Sequence, residues 1–257
     1  MEEILKVTDL KKTFVLSRKQ QITQKCGKYK VAVDGLSFSA NKGEIFGLLG
    51  PNGAGKTTTL RIISTLIKAD SGDAVVDGIS VKENPDGVRA KIGFLTSELK
   101  LEDFFTPDYL FDYFSNLHGV EKSVAEERKA RLFEKFGIKE FAHVKVGDLS
   151  TGMKQKTSIV ISIVHDPDII IFDEPTNGLD VITAKAVTDF LKELRDSGKT
   201  IIISTHIFSL AEKICDRVGV IINGKMTACE TLAELTKEKP LEDVFFDLYK
   251  KEMGEDA

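Results

Sequence analysis

Nine consecutive residues, Gly50-Pro51-Asn52-Gly53-Ala54-Gly55-Lys56-Thr57-Thr58, fit the phosphate-loop pattern G-x-x-x-x-G-K-[ST]. They follow an apolar run, Ile45 to Leu49, that reads as a buried strand, and they open into Thr59-Leu60-Arg61-Ile62-Ile63, which reads as a helix. That strand–loop–helix setting constrains the fold and gives the motif its meaning. The glycines let the backbone wrap close to a polyphosphate, so that consecutive N–H groups of Asn52 to Thr58 can point at its oxygens. The helix N-terminus adds partial positive charge. Lys56 is placed to reach β- and γ-phosphates, and the Thr57 hydroxyl to take one position on Mg²⁺. An ordinary glycine-rich turn needs neither the strand nor the helix. The chain is expected to bind a nucleoside triphosphate.

The rest of the pattern extends that unit into an α/β domain. Residues 4–9 and 31–38 read as strands, and Ser17–Lys30 between them as a polar loop or loose hairpin. Ala69–Asp73 turns into a strand at Ala74–Val76, and Ala90–Leu95 is a further strand candidate. Ile169–Phe172, Thr200–Ser204 and Val218–Ile222 are short β-branched runs separated by helices at Thr183–Arg195 and Phe208–Cys215. Alternation at this spacing predicts a largely parallel sheet. Between residues 97 and 148 the texture becomes helical. Thr106-Pro107 is a helix start, Leu110, Phe111, Phe114 and Leu117 recur at helical spacing, and Ser123–Phe136 is a charged amphipathic helix. The tail 230–257 reads as a helix docking through Val244-Phe245-Phe246 and Leu248.

Composition narrows the partners. At 257 residues, 42% hydrophobic and 30% charged, the chain resembles a soluble globular protein that can bury a full core. With a net charge of −4 and no long Lys/Arg block, nucleic acid is not an expected partner. Cys26, Cys215 and Cys229 lack metal-ligand spacing and read as free thiols in a reducing cytosol. The acidic N-terminus lacks the apolar segment of a secretory signal, and the apolar runs fall far short of the ~20 residues a bilayer requires. A membrane role is therefore expected to come through another chain.

Two carboxylates, Asp173 and Glu174, end the apolar run Ile169–Phe172. Ligands of open α/β sheets bind at such strand ends. Asp173 can hold hydrated Mg²⁺ beside Thr57, and Glu174 can polarise a water for attack on the γ-phosphorus. Ser150 fits a helix N-cap, where free N–H groups and the Gly152 backbone make a second anion site; alone, such a cap is only a cap. His206 ends Ser204-Thr205-His206, where an imidazole can donate to a γ-phosphate oxygen or simply satisfy a strand end. His118, His143 and His165 carry no assigned role.

Order and spacing together resemble the nucleotide-binding subunit of ATP-binding cassette transporters, over nearly the whole chain. Leu149-Ser150-Thr151-Gly152-Met153 matches the family signature about a hundred residues after the phosphate loop. Asp173-Glu174, a D-loop at Asn177-Gly178-Leu179-Asp180, and a switch histidine at His206 follow. The chain departs from the pattern at Thr151, at Met153, and at Ser97, which stands at the glutamine-loop position. There the family contact is either water-mediated or taken by Glu98. Phe14 matches the adenine-stacking aromatic by context and Tyr29 by distance from Lys56, with Phe14 preferred.

The resemblance implies a P-loop NTPase fold: an α/β core with a largely parallel sheet, an N-terminal antiparallel β part and a helical subdomain insertion at about 97–148. The nucleotide-binding domain would run over 1–229, with a C-terminal tail at 230–257. It implies ATP and Mg²⁺ as ligands, with Lys56, Glu174 and His206 catalytic, Thr57 and Asp173 on the metal, and Asp180 in the nucleotide site. It also implies a head-to-tail homodimer or heterodimer of nucleotide-binding domains, in which Ser150 and Gly152 touch the partner's γ-phosphate. The permease would be an integral membrane subunit, placing this chain on the cytoplasmic face of the cell membrane. Crowded aromatics from Phe104 to Phe114 either pack the insertion's own core or line a groove for a short helix of that permease. The signature and single cassette look like the prokaryotic type-2 exporter branch; the alternative is a soluble ABC ATPase of assembly or translation. The absence of a guanine motif argues against a GTPase, and the signature and switch histidine argue against both a GTPase and a P-loop kinase.

Overall fold

The computed structural model describes residues 2–24, 27–96 and 101–254. Two sheets share the molecule. The first is antiparallel, with strand order β2-β1-β4-β5: β1 is Glu3–Val15, β2 Tyr29–Asn41, β4 Ser71–Val76 and β5 Ile79–Ser80. Residues of β1 alternate in part between buried and exposed, as expected of a sheet with one face covered. The second sheet has the order β10-β9-β3-β8-β7-β6, with β3 at Ile45–Leu49, β6 Ile92–Leu95, β7 Ile169–Asp173, β8 Thr200–Thr205, β9 Arg217–Ile222 and β10 Lys225–Thr231. Its strands pair in parallel except for the antiparallel edge β10.

Every residue of β3, β7 and β8 is buried, because the parallel sheet is the wall between two cores. Ile170, Phe172, Ile201 and Ile203 face one apolar cluster; Ile169, Ile171, Ile202, Phe46 and Leu48 face the other. Helix α2 (Lys56–Ile63) belongs to the second cluster, through Leu60, Ile62 and Ile63, together with the antiparallel sheet. Helices α4 (Pro107–Leu117), α5 (Lys122–Phe136), α6 (Thr151–Ser162) and α7 (Val181–Asp196) all contribute to the first.

The structure corrects several sequence expectations. The polar stretch 17–30 contains a helix, α1 (Arg18–Gln24), where a loop or loose hairpin is expected. Its Lys and Gln residues favour helix without producing an apolar period, so pattern reading passes over it. The strand candidate at Ala90 begins only at Ile92. Before it lies helix α3 (Pro85–Lys91), announced by the Asn84 side chain accepting from Gly87 N and by Pro85 in the first turn. Strand β10 is a missed element, and its signal is an Asn223-Gly224 turn with both φ angles positive.

Thr106 caps α4 as expected, accepting from Tyr109 N at 3.2 Å, but Leu117 points to solvent. Of the 97–148 stretch, residues 97–100, including Ser97 and Glu98, lie outside the described residues, as does Cys26. From residue 101 the stretch holds α4, α5 and two short 3-10 turns. In the tail, α9 (Leu232–Leu235) precedes α10 (Leu241–Met253), and a division at 229/230 falls inside β10. Helix α10 buries Leu241 and Phe245, while Phe246 stays 47% exposed. Its neighbour is α8 (Phe208–Ile214), whose Phe208 ring lies 5.2 Å from that of Phe245.

One consequence of this packing is measurable. The ring of His165, after α6, stacks on that of His118, which ends α4, with centroids 4.0 Å apart. Burial, reinforced by His118, pulls His165 down to about 4, although its Nε2 lies 3.0 Å from Ile92 O. Because the folded chain then binds fewer protons than the unfolded one, this group leaves stability intact above pH 6.5. It costs stability progressively as pH falls from 6.5 towards 4. We expect His165→Gln to flatten the fall in urea midpoint across that window; an unchanged slope would remove the pair from the acid response.

Candidate functional site

The loop from Gly50 to Gly55 leaves the end of β3 and turns into α2. Positive φ at Gly53 (84°) and Gly55 (108°) carries the chain round. A Cβ on Gly55 would also lie 2.3 Å from Ala32 O, so this site has neither the conformation nor the space for a side chain. Gly55 is the N-cap of α2 and supplies no capping side chain. The first-turn N–H groups therefore remain for an anionic ligand.

A cleft of about 420 Å³ opens over this loop, lined by Asn52, Gly53, Gly55, Lys56, Thr57 and Thr58, with Glu174 and Asn177 opposite and Phe14, Leu16, Lys30 and Ala32 to the side. Ala54 is buried beneath, its carbonyl accepting from Gly224 N at 2.9 Å. Lys56 is only 5% exposed. Its Nζ donates to Gly50 O at 2.7 Å and Pro51 O at 3.2 Å, and lies 3.5 Å from Glu174 Oε1. Burial pulls its ammonium below the usual lysine range, against the opposing pull of Glu174. A buried cation already held at the loop is suited to receive phosphate oxygens.

Strands β7 and β8 bring the carboxylates in from the other side. Thr57 Oγ1 donates to Asp173 Oδ1 at 3.1 Å, and the Ser204 hydroxyl donates to that same oxygen. Asp173 is 2% exposed, yet its Oδ2 is buried with no hydrogen-bond partner. Burying a carboxylate oxygen unpaired is costly. Oxygen donors of Thr57 and Asp173, one of them unsatisfied, fit a hard divalent cation such as Mg²⁺. Glu174 adopts φ 52°, a left-handed conformation rarely taken by a side-chain-bearing residue. Its N–H donates to Ser204 Oγ at 3.1 Å, and its carboxylate lies 3.0 Å from His206 Nδ1. Strain of this kind gathers where a side chain must be aimed.

Ser150, Gly152 and Asp180 do not line the cleft. Ser150 caps α6, accepting from Met153 N at 3.3 Å. Asp180 caps α7, accepting from Ile182 N and Thr183 N at 3.0 Å and from Thr183 Oγ1 at 2.8 Å. Those bonds hold its carboxyl below the usual range. The two helix starts are neighbours, since a Cβ on Gly152 would meet Thr183 Oγ1 at 3.5 Å and Asp180 Oδ2 at 3.8 Å. Phe14 is in the cleft wall, whereas Tyr29 is 63% exposed and absent from that wall.

Sequence reasoning missed several contributors. Ser204 braces both Asp173 and Glu174, signalled only by a hydroxyl at the tip of β8. Gln155 Nε2 donates to Pro175 O at 3.1 Å, tying α6 to the segment after β7. Lys30 lines the cleft without any assigned role, and Asn177, placed in the D-loop by sequence, lines it as well. Among the described residues, no helix is long and apolar enough to cross a membrane.

Comparison with known proteins gives the same picture. A family model described as ABC transporter matches residues 33–177. The chain is similar to the ABC transporter ATP-binding protein NatA of Bacillus subtilis, 38% identical over 218 residues that span 83% of this chain and 89% of that protein. It is similar to the Nod factor export ATP-binding protein I of Burkholderia orbicola, 39% identical over 199 residues, 77% of this chain and 66% of that protein. A solved dimeric ATP-binding cassette, in a post-hydrolysis state with ADP and Pi, superposes with a TM-score of 0.76 at 25% identity, covering 89% of this chain and 98% of that one.

Proposed function

This chain belongs to the ABC transporter family, and we propose that it powers an exporter through ATP-driven pairing of two cassettes. It is an ATP-binding subunit with ATPase activity. The observation that carries the finer reading is the meeting of Lys56, Thr57 and Glu174 in one cleft, with Asp173 bonded to Thr57, over a loop whose helix N-terminus is left uncapped.

In this reading the cleft residues divide the work. Phe14 stacks on adenine, and the backbone from Asn52 to Thr58, together with Lys56, grips the phosphates. Thr57 and Asp173 would hold Mg²⁺, which would supply neutralisation of the phosphate charge. Glu174, aimed by its strained backbone and by Ser204, polarises the attacking water. His206 steadies the Glu174 carboxylate through Nδ1, leaving Nε2 to reach a γ-phosphate oxygen.

Ser150, Gly152 and Asp180 complete the site of a second subunit. None of the three lines this chain's own cleft, which accords with a head-to-tail pair, and the dimeric solved cassette supports that reading. The nucleotide-binding domain carries its helical part within about 97–148 and extends through β10, followed by the tail. Membrane attachment comes through a permease subunit on the cytoplasmic side. Its docking face is α4 and the preceding loop, where Phe104, Tyr109 and Tyr113 are about half exposed or more, and Phe105 and Tyr109 stack at 4.6 Å.

Ser150→Asp tests the pairing. Aspartate caps a helix as well as serine does, so α6 is kept, but its charge opposes the partner's γ-phosphate. ATPase activity should fall at least about ten-fold, on the scale of one lost charge-assisted contact, with single-chain ATP affinity unchanged. Wild-type turnover in this variant would remove the second subunit from the reaction.

A further inference from the structure

We propose that the β1–β2 hairpin, with helix α1 at its tip, is a membrane-surface contact that reads anionic lipid headgroups. Between Lys11 and Asp34 the chain holds Lys11, Lys12, Arg18, Lys19, Lys25, Lys28 and Lys30 and not one acidic residue, although its overall charge is −4. Two of these cations are engaged elsewhere on the sheet: Lys12 lies 2.8 Å from Asp70 and Lys11 4.0 Å from Asp9. Lys30 lines the nucleotide cleft. Arg18, Lys19 and Lys28 are exposed, and Lys28 Nζ lies 5.6 Å from the centre of the Tyr29 ring.

The same hairpin shows apolar side chains to solvent. One face of its stem, Phe14 with Leu16, Lys30 and Ala32, lines the nucleotide cleft. Residues alternate across a strand, so the neighbours Val15, Tyr29 and Val31 turn the other way, with Val15 directly opposite Tyr29. These three are 66%, 63% and 54% exposed, and Ile22 on α1 is 79% exposed. A solvated basic loop has no need of four aliphatic or aromatic side chains in water. Cations beside exposed apolar groups are the composition of a segment lying in a headgroup layer, with charges on the phosphates and side chains at the acyl boundary. A nucleic-acid surface would use the cations and leave the aliphatic groups unpaired.

Arg18, Lys19, Ile22 and Lys28 do not line the nucleotide cleft, so their replacement leaves ATP hydrolysis standing. Near an anionic leaflet each lysine or arginine raises partitioning by about five-fold. Flotation of the full chain with phosphatidylglycerol-containing vesicles should therefore recover bound protein, and recovery should fall as salt rises. Vesicles of pure phosphatidylcholine should recover little. Lys19→Ala combined with Lys28→Ala should weaken partitioning by about 25-fold, and Ile22→Asp should weaken it in the unmodified background. Both variants should keep wild-type ATPase activity and melting temperature, which separates this proposal from the ATPase reading. Equal recovery with neutral vesicles, unchanged binding by the double variant, no flotation at all, or displacement from vesicles by single-stranded RNA would each overturn it.

Discussion

Replacing Glu174 by glutamine slows ATP turnover by about 10²–10⁴ while ATP stays bound, the scale on which a positioned general base contributes. The substitution keeps the shape of the side chain and its reach to His206 Nδ1, now 3.0 Å away, and removes only the basicity. Affinity for ATP should be preserved, since Lys56 and the loop backbone remain. With hydrolysis blocked and binding intact, a nucleotide-dependent dimer should accumulate, visible by size-exclusion chromatography with Mg-ATP. A second readout belongs to this structure. Lys56 is buried and loses its carboxylate partner at 3.5 Å in the variant, so the nucleotide-free protein carries a less compensated cation. Nucleotide-free Glu174→Gln should therefore melt below the wild type. Turnover within ten-fold of wild type would take Glu174 out of the base role.

Lys56→Ala acts on the other half of the cycle. Removing the ammonium deletes the charge-assisted contacts offered to the phosphates, each ~1.5–3 kcal/mol, so ATP affinity should drop by about 10–150-fold. It also leaves Gly50 O, Pro51 O and the Glu174 carboxylate without their shared donor. Calorimetric titration separates the two variants cleanly: Glu174→Gln spares the dissociation constant and Lys56→Ala spends it. Binding of ATP by Lys56→Ala at wild-type strength would place the phosphates away from this lysine.

How much of this was legible beforehand depends on how local each feature is. The phosphate loop, the capped helices at Thr106 and Ser150, and the buried strands at Ile45, Ile169 and Thr200 are short-range patterns, and the chain folds them as written. The helix at Arg18–Gln24 escaped because a polar run without apolar period carries propensity but no face. Strand β10 escaped because its residues are half buried at a sheet edge, leaving only the Asn223-Gly224 turn as signal. Phe245 and Phe246 are adjacent in the sequence, yet successive helical residues face different directions, and of the two only Phe245 is buried.

By itself the sequence determined the phosphate loop, the alternation of strand and helix, and the order of the motifs, because each depends on residues within a few positions of one another. Only the tertiary structure decided that Ser204 braces Asp173 and Glu174 across adjacent strands, that Asp173 Oδ2 is left buried and unpaired, and that Phe14 rather than Tyr29 enters the cleft. Those outcomes turn on strand register and on which face of a strand meets which core. Both are set by the burial of side chains far apart in the chain, a global balance of apolar area that no short window contains.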